Sequence, residues 1–520
     1  MQACDPAQVV MSSFNYIHIT MSLLSIFVMD DSDLLSACQQ KMTTESLRPG
    51  QGDVIRTLQA KKPCLAVMPT GGGKTLLWLL TTHILNKQFV DGRGQRPLTL
   101  VVVPYKALIL SHLQESSSWF YCLSSENSPS ELQSNINNCS VIYFTPEKLV
   151  KNIAFQEILV QNASRVQIIA IDEAHLLLEH PRFRPDMGLC INILHSRIPN
   201  AVRLAVTATS RICDSELLLE AAKMCRTTKI VRCKLDRSNC YISVAPMIDK
   251  KDKQKHTKFE HDHESIFKLV NVASQPRTII FVCSRLESEN LANSLQNLCT
   301  STSYLKSGEI TFFHADLTAE KKRQIMAGFM DVLRIVVATT AFGTGINFSD
   351  IRIIVHYGLP SSLTEYMQNI GRGGRDGEPY KCVLYFSYKN IHEQGAVWMQ
   401  GCPTNELPFK WEKFAEMIRF VFSTQCRRAF ILPFFDNSYD ASTMCYSCDT
   451  CALSDGAEAR IDIQATARIL MKVIQEFQFR YSDGVVFSRV KDVITCHGLT
   501  PKLRLLHADT DLTNRGIGAR

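Results

Sequence analysis

The chain has 520 residues, of which 45% are hydrophobic and 21% charged, and a formal net charge of +7. This balance excludes a disordered or fibrous polymer and leaves room for about three folded domains. The mild positive excess permits a polyanionic partner without demanding one, and 19 cysteines scattered over this length do not make a secreted disulfide scaffold.

Most of the cysteines read as small buried hydrophobes in a reducing, intracellular compartment. Near the N-terminus, Phe14 to Met29 is apolar but interrupted by Asn15, His18, Thr20, Ser22 and Ser25. It is too short and too polar to span a bilayer and lacks the basic flank of a secretory signal. Residues 1–44 are read as an N-terminal extension.

Cys64 to Met68 is a short apolar run suited to a buried parallel strand, and Pro69, Thr70, Gly71, Gly72, Gly73, Lys74 and Thr75 follow it. Glycines let the backbone curl so that successive N–H groups converge on phosphate oxygens. The apolar stretch from Leu76 to Leu80 predicts a helix, whose N-terminal end adds positive charge there. Lys74 would reach the β- and γ-phosphates and Thr75 would hold Mg²⁺. Met68 stands where the pattern G-x-x-x-x-G-K-[ST] has glycine. A tight strand-to-helix turn alone would explain the glycines but not the Lys-Thr pair.

Further apolar runs, Leu98–Val103, Val141–Phe144, Ile168–Ile171 and Leu204–Thr207, alternate with helical stretches. They predict a parallel sheet covered on both faces within residues 45–235. The third run ends in Asp172, Glu173, Ala174 and His175. A carboxylate at the C-terminal end of such a strand lies near the phosphate loop. Asp172 would hold Mg²⁺ through water, Glu173 would orient or deprotonate the attacking water, and His175 belongs to the same nucleotide site. Thr207 and Thr209 end the next strand, where small hydroxyls can link the nucleotide to a bound polymer or merely form a turn.

Lys250 to Ser265 is dense in charge and reads as a solvated linker or surface helix. A second alternating region, residues 236–400, has strand candidates Thr278–Val282, Ile310–Phe313, Ile335–Ala338, Ile351–Val355 and Val383–Phe386. It carries no phosphate loop. Its chemistry lies in Gln368 to Gly377, where Arg372 and Arg375 share a helical face or a tight turn. Arginine suits charge on a transferring phosphoryl group, so these arginines, with Gln368, are expected to complete the first unit's site as fingers supplied in cis. A Gly-Arg-rich surface loop is the plainer alternative.

In residues 401–455, Cys426 precedes Cys445, Cys448 and Cys451. The C-x₂-C-x₂-C spacing can put three thiolates on one tetrahedral ion, with Cys426 arriving from upstream. Four thiolates with no open position describe a structural Zn²⁺ site. Residues 456–520 hold a helical stretch, Ala465–Phe477, and then Val485–Val493.

Taken in order, the phosphate loop, Asp172–His175, Thr207–Thr209 and Gln368–Gly377 resemble those of a superfamily 2 helicase, and finer details resemble the RecQ family. Leu47-Arg48-Pro49-Gly50-Gln51 is similar to the family's motif ahead of the loop. The resemblance implies that Gln51 reads the adenine edge with help from Arg48. The family's own loop accounts for Met68. Thr145–Lys148, Leu235–Asn239 and Ala338–Asn347 also match, with Thr344 where Met is usual. RecQ-like chains carry a zinc subdomain similarly led by Cys-Arg-Arg.

The family's aromatic-rich loop, which couples hydrolysis to DNA, is altered here. Phe183 and Arg184 are retained as expected nucleic-acid contacts, His180 stands nearest the family's Trp, and the loop is shorter. Base stacking on aromatics contributes about 1–3 kcal/mol per base, so this departure touches coupling rather than ATP chemistry.

The resemblance implies an α/β fold of two tandem RecA-like parallel-sheet lobes, a small helical zinc-binding subdomain and a short, partial winged-helix tail. It implies an ATP-dependent 3′-to-5′ DNA helicase using ATP, Mg²⁺ and Zn²⁺ on single-stranded and forked DNA, in recombination, repair or replication, and nuclear in a eukaryote. The alternative is a helicase-derived ATPase that remodels or anneals strands without processive unwinding.

Overall fold

The computed structural model describes residues 29–39, 46–88, 95–179, 185–247, 260–343, 348–400, 402–403, 406–436, 438–442 and 444–453. The expectations for Phe183, Arg184, Thr344 and the tail 456–520 lie outside them. The chain divides into two compact units, Met1–Leu235 and Asp236–Arg520.

Apolar runs without polar interruption need both strand faces buried, and the first unit buries them in a parallel sheet. Its strands are β1 (Cys64–Val67), β2 (Leu98–Val102), β3 (Cys122–Ser124), β4 (Val141–Phe144), β5 (Val166–Ile171), β6 (Val202–Thr207) and β7 (Lys229–Arg232). Their spatial order is β3-β4-β2-β5-β6-β1-β7, and every neighbouring pair is parallel. Side chains alternate between two cores, one on each face. In β1, Leu65 and Val67 enter one and Cys64 and Ala66 the other.

The second unit repeats the plan with β8 (Cys240–Pro246), β9 (Arg277–Val282), β10 (Ile310–Phe313), β11 (Ile335–Ala338), β12 (Ile351–Tyr357) and β13 (Tyr380–Phe386), ordered β10-β11-β9-β12-β13-β8. These pairs are parallel as well. The two tandem parallel-sheet lobes are therefore present. After β13 come the helices Tyr388–Met399, Leu407–Phe422, Arg427–Ile431 and Asp449–Leu453. Among the described residues no helix is long and apolar enough to cross a membrane.

Two features depart from the sequence reading. Strands β3, β7 and β8, which the sequence reading missed, lie at the outer positions of their sheets and show mixed burial, although the remaining outer strand, β10, does carry an apolar run. In addition, the segment set apart as an N-terminal extension contains a helix, Asp31–Gln39, that buries Leu34, Ala37 and Cys38 in the same core as Trp78 and Leu80. That part of residues 1–44 belongs to the first lobe. Leu34→Ala should therefore destabilise the first lobe by about 2–4 kcal/mol, read as a lower midpoint in denaturant unfolding. A change near zero would show that the helix is not part of the core.

Candidate nucleotide and metal sites

The strand order of the first unit assembles one group of candidate site residues. β5, β6 and β1 are adjacent, so their C-terminal ends bring Asp172, Thr207 and the glycine loop side by side. Gly71 and Gly73 adopt φ of 76° and 75°, a left-handed conformation that side chains resist. The Gly72 N–H donates to Pro69 O at 2.8 Å, and a Cβ on Gly72 would lie 2.7 Å from that oxygen. Thr70 precedes this turn. Lys74 and Thr75 open the Lys74–Gln88 helix.

The Lys74 ammonium lies 3.4 Å from Glu173 Oε1 in a partly buried ion pair. Glu173 has φ of 48°, a strained conformation for a residue with a side chain, costing on the order of 1–3 kcal/mol. Its backbone N–H donates to Asp172 Oδ1 at 2.9 Å. His175 Nδ1 stands 2.9 Å from Thr207 Oγ1 and 3.4 Å from Glu173 Oε2. The Thr209 N–H donates to Thr207 Oγ1 at 3.3 Å. Lys74, Asp172, Glu173, His175, Thr207 and Thr209 thus form one connected group.

Asp172 is buried. Burial works against its charge, but the His112 hydrogen bond and the Lys74 charge outweigh it and hold the pKa below the ordinary carboxylate value. His112 Nε2 is 3.2 Å from Asp172 Oδ2. Its ring stacks on Tyr143 with centroids 5.5 Å apart and meets Trp78 edge-on at 5.5 Å. Trp78 Nε1 donates to the Tyr143 hydroxyl at 3.2 Å, which is 2.6 Å from Ser116 Oγ. Ser116 in turn donates to His112 O at 2.6 Å. His112 escaped the sequence reading because one histidine in an apolar helix carries no spacing signal.

Gln51 is turned onto the protein itself. Its Oε1 accepts from the Arg48 N–H at 2.8 Å, and its Nε2 donates to Gly72 O and Gly73 O at 3.2 Å each. The Arg48 side chain also borders Gly73. The proposed adenine readers thus flank the loop, with the Gln51 amide bracing it.

In the second unit, Gln368 lies on the helix Leu363–Ile370, and Arg372 and Arg375 occupy the turn beyond it rather than a helical face. The Gly374 N–H donates to Ile351 O at 2.9 Å and the Arg375 N–H to Ser349 O at 3.0 Å, which fastens the turn to the start of β12. Burial, with the like charges of Arg372 and Arg237, pulls the Arg375 pKa down to about 9. Such a concentration of guanidinium charge favours an anion.

The sulfurs of Cys426, Cys445, Cys448 and Cys451 lie within 4.8 Å of one another. Two separations, Cys426–Cys448 and Cys445–Cys451, are 3.9 Å. A tetrahedron with Zn–S bonds of about 2.3 Å has edges of about 3.8 Å, so the four sulfurs fit one zinc ion, while a disulfide needs about 2.05 Å. Arg427 pairs with Asp449 through two bonds of 2.8 and 3.0 Å.

A phosphate loop, an acidic strand end and an arginine turn carried by two parallel-sheet lobes define a superfamily 2 helicase architecture. The DEAD/DEAH box helicase profile matches residues 48–214, the helicase conserved C-terminal domain 262–377, and the RecQ zinc-binding profile 396–452. In the order and placement of these three profiles, and in its relatives, the chain is similar to RecQ-type superfamily 2 helicases.

It is 29% identical over 448 residues to the ATP-dependent DNA helicase Q-like 2 of Arabidopsis thaliana, covering 83% of this chain and 58% of that one. It is likewise 29% identical over 449 residues to ATP-dependent DNA helicase Q1 of Rattus norvegicus, covering 83% and 66%. The chain therefore spans about three fifths to two thirds of these relatives' lengths. Among solved structures it resembles the Mycobacterium smegmatis helicase Lhr bound to ssDNA and AMP-PNP, with a TM-score of 0.53, 20% identity and coverage of 72% of this chain and 50% of that one. It also resembles the DUF1998 helicase MrfA bound to DNA, with a TM-score of 0.57, 17% identity and coverage of 79% and 59%. At these identities the likeness establishes the fold.

Denatured protein should release about one zinc ion per chain in a colorimetric assay, and Cys448→Ser should release almost none. Chelation should lower the thermal midpoint of the wild type, since binding free energy of such an ion is folding free energy. Full stability of the stripped protein would overturn the assignment.

Proposed function

We propose that this chain is an ATP-dependent DNA helicase that moves along a single strand with 3′-to-5′ polarity and separates duplexes, including forks, in recombination, repair or replication. The carrying observation is the group formed by Lys74, Asp172, Glu173, His175 and Thr207 at three adjacent strand ends. It supplies a phosphate clamp, a buried carboxylate held ionised and a second carboxylate beside it, the parts nucleotide hydrolysis needs.

In this reading the loop N–H groups and Lys74 bind the β- and γ-phosphates, and ATP would have to displace Glu173 from Lys74. The freed Glu173 carboxylate then accepts a proton from the attacking water. Thr75 and Asp172 offer the hard oxygen donors that Mg²⁺ takes, and the ion would neutralise phosphate charge. Arg372 and Arg375 are assigned to the same reaction on chemistry, as cations for the charge that develops on the phosphoryl group. His175, Thr207 and Thr209 tie the hydrolytic carboxylate to the end of β6, a route by which DNA can influence hydrolysis. DNA as substrate is supported by the family and by the relatives' names. An intracellular, and in a eukaryote nuclear, location is part of the proposal.

One observation favours a second reading. Leu176 to Pro185 contains no Trp, so stacking that links hydrolysis to strand movement is reduced. A helicase-derived ATPase that anneals or remodels strands would fit this loop.

Wild-type protein should hydrolyse ATP faster with single-stranded DNA and displace a labelled strand from a forked duplex. Lys74→Ala should lower kcat on the order of a hundredfold or more while retaining DNA affinity. DNA-stimulated hydrolysis without displacement would select the annealing reading, and no hydrolysis in the wild type would defeat both.

A further inference from the structure

The cysteine cluster does not stand apart from the motor lobe. It is built against the edge strand β8 and the residues that lead into it. Cys448 forms a parallel bridge with Ile242, the Ile242 N–H donates to Ser447 O at 3.3 Å, and the Val244 N–H donates to Asp449 Oδ2 at 2.9 Å. At the centre is Arg428, two residues beyond the sulfur of Cys426 and itself buried.

The Arg428 guanidinium joins two separate parts of the lobe. Toward the cluster, Nη1 donates to Ser447 O at 2.9 Å and to Cys445 Sγ at 3.4 Å. Toward the strap Asp236–Asn239, Nε donates to Asp236 Oδ1 at 2.8 Å and Nη2 to Arg237 O at 2.8 Å and to Cys240 O. Only a planar fork with several fixed donors can serve all of these acceptors at once; a lysine ammonium cannot.

The other end of the strap holds the arginine turn. Asn239 Nδ2 donates to Gly374 O at 2.9 Å and to Glu378 O at 2.8 Å. The Tyr380 N–H donates to Asn239 O at 3.0 Å, and the Tyr380 hydroxyl donates to Ile370 O at 2.8 Å, closing the helix that precedes the turn. The fit is close: a Cβ on Gly374 would lie 2.4 Å from the Tyr380 ring and 2.6 Å from Asn239 Nδ2. The amide thus grips the turn from both sides of Arg375.

We infer that the zinc cluster positions the arginine turn, acting through Arg428 and Asn239 as two links of one chain. The inference rests on the proposed role of Arg372 and Arg375 and deepens it. In this arrangement Arg428 and Asn239 are positioning residues. Their bonds go to the protein itself, and they fix where the backbone of 371–377 lies, and with it the guanidinium groups. Loss of the ion would then lower turnover as well as stability, because the strap would lose the anchor that Ser447 and Cys445 give Arg428.

The test compares full-length, zinc-loaded wild type, Asn239→Ala and Arg428→Lys. In both variants kcat of DNA-stimulated ATP hydrolysis should fall about tenfold to a hundredfold, as expected for displaced catalytic groups, while KM for ATP stays within about twofold because the phosphate loop is untouched. Zinc content should remain at the wild-type value in Asn239→Ala. Hydrogen exchange of the peptide spanning 371–377 should be faster in both variants and in metal-stripped wild type. Unchanged exchange at 371–377 in both variants overturns the inference, and so does unchanged kcat.

Exchange is read without turnover, so the two proposals fail separately. If Arg375→Ala hydrolyses ATP like the wild type, the catalytic role of the turn fails, whatever the exchange data show. If Arg375→Ala is inactive and Asn239→Ala is normal, the positioning chain alone fails.

Discussion

A parallel sheet buried on both faces has only its strand ends left for chemistry. In the first lobe the order β5-β6-β1 converts that constraint into a site. Residues 67, 171 and 207, far apart in sequence, end neighbouring strands, and whatever follows each is delivered to the same edge. The three following stretches are a glycine loop, an acidic pair and a Thr-Ala-Thr turn. The first two lead almost directly into a covering helix, Lys74–Gln88 and Leu176–Glu179. The Glu173 backbone strain has the same origin: its left-handed φ turns the carboxylate toward Lys74 directly after β5.

This explains what was legible in the sequence. Parallel strands in the middle of a sheet announce themselves as apolar runs, and the residues directly after them can be read from order alone. The lysine, the acidic pair and the two threonines were visible for that reason, whereas the cysteines were visible through their own spacing. Strands β3, β7 and β8 were not, because their polar and half-buried residues break the apolar run that the edge strand β10 keeps. The helix Asp31–Gln39 was hidden in an N-terminal stretch whose polar surface residues mask Leu34 and Cys38. Arg372 and Arg375 were recognised by type, but whether they sat on a helix or in a turn depended on Tyr380 and Asn239, which are distant in sequence.

His112 shows a different limit. Its function comes from a partner on another element and from the aromatic groups around it, none of which leaves a spacing pattern. Burial would favour a protonated, neutral Asp172. The imidazole and the Lys74 charge reverse that preference, so the carboxylate remains available to a cation. Trp78, Tyr143 and Ser116 form a hydrogen-bonded series that ends on the backbone of His112. Residues that look like ordinary core packing thus hold in place the imidazole that, with Lys74, keeps the Asp172 pKa low.

The cysteine cluster and β8 solve each other's problem. An edge strand exposes unpaired backbone groups, and a cluster of four thiolates has too little apolar surface to fix its own orientation. Docking the cluster on β8 pairs the Ile242 and Val244 N–H groups and gives Arg428 acceptors on both sides. Four of its bonds go to backbone carbonyls or the Asp236 carboxylate within the lobe, so its charge is compensated while its shape is fully used. A free-standing zinc module would need none of these bonds. Their number and their ending on the strap that leads to Asn239 argue that metal site and arginine turn were built as one piece of the second lobe.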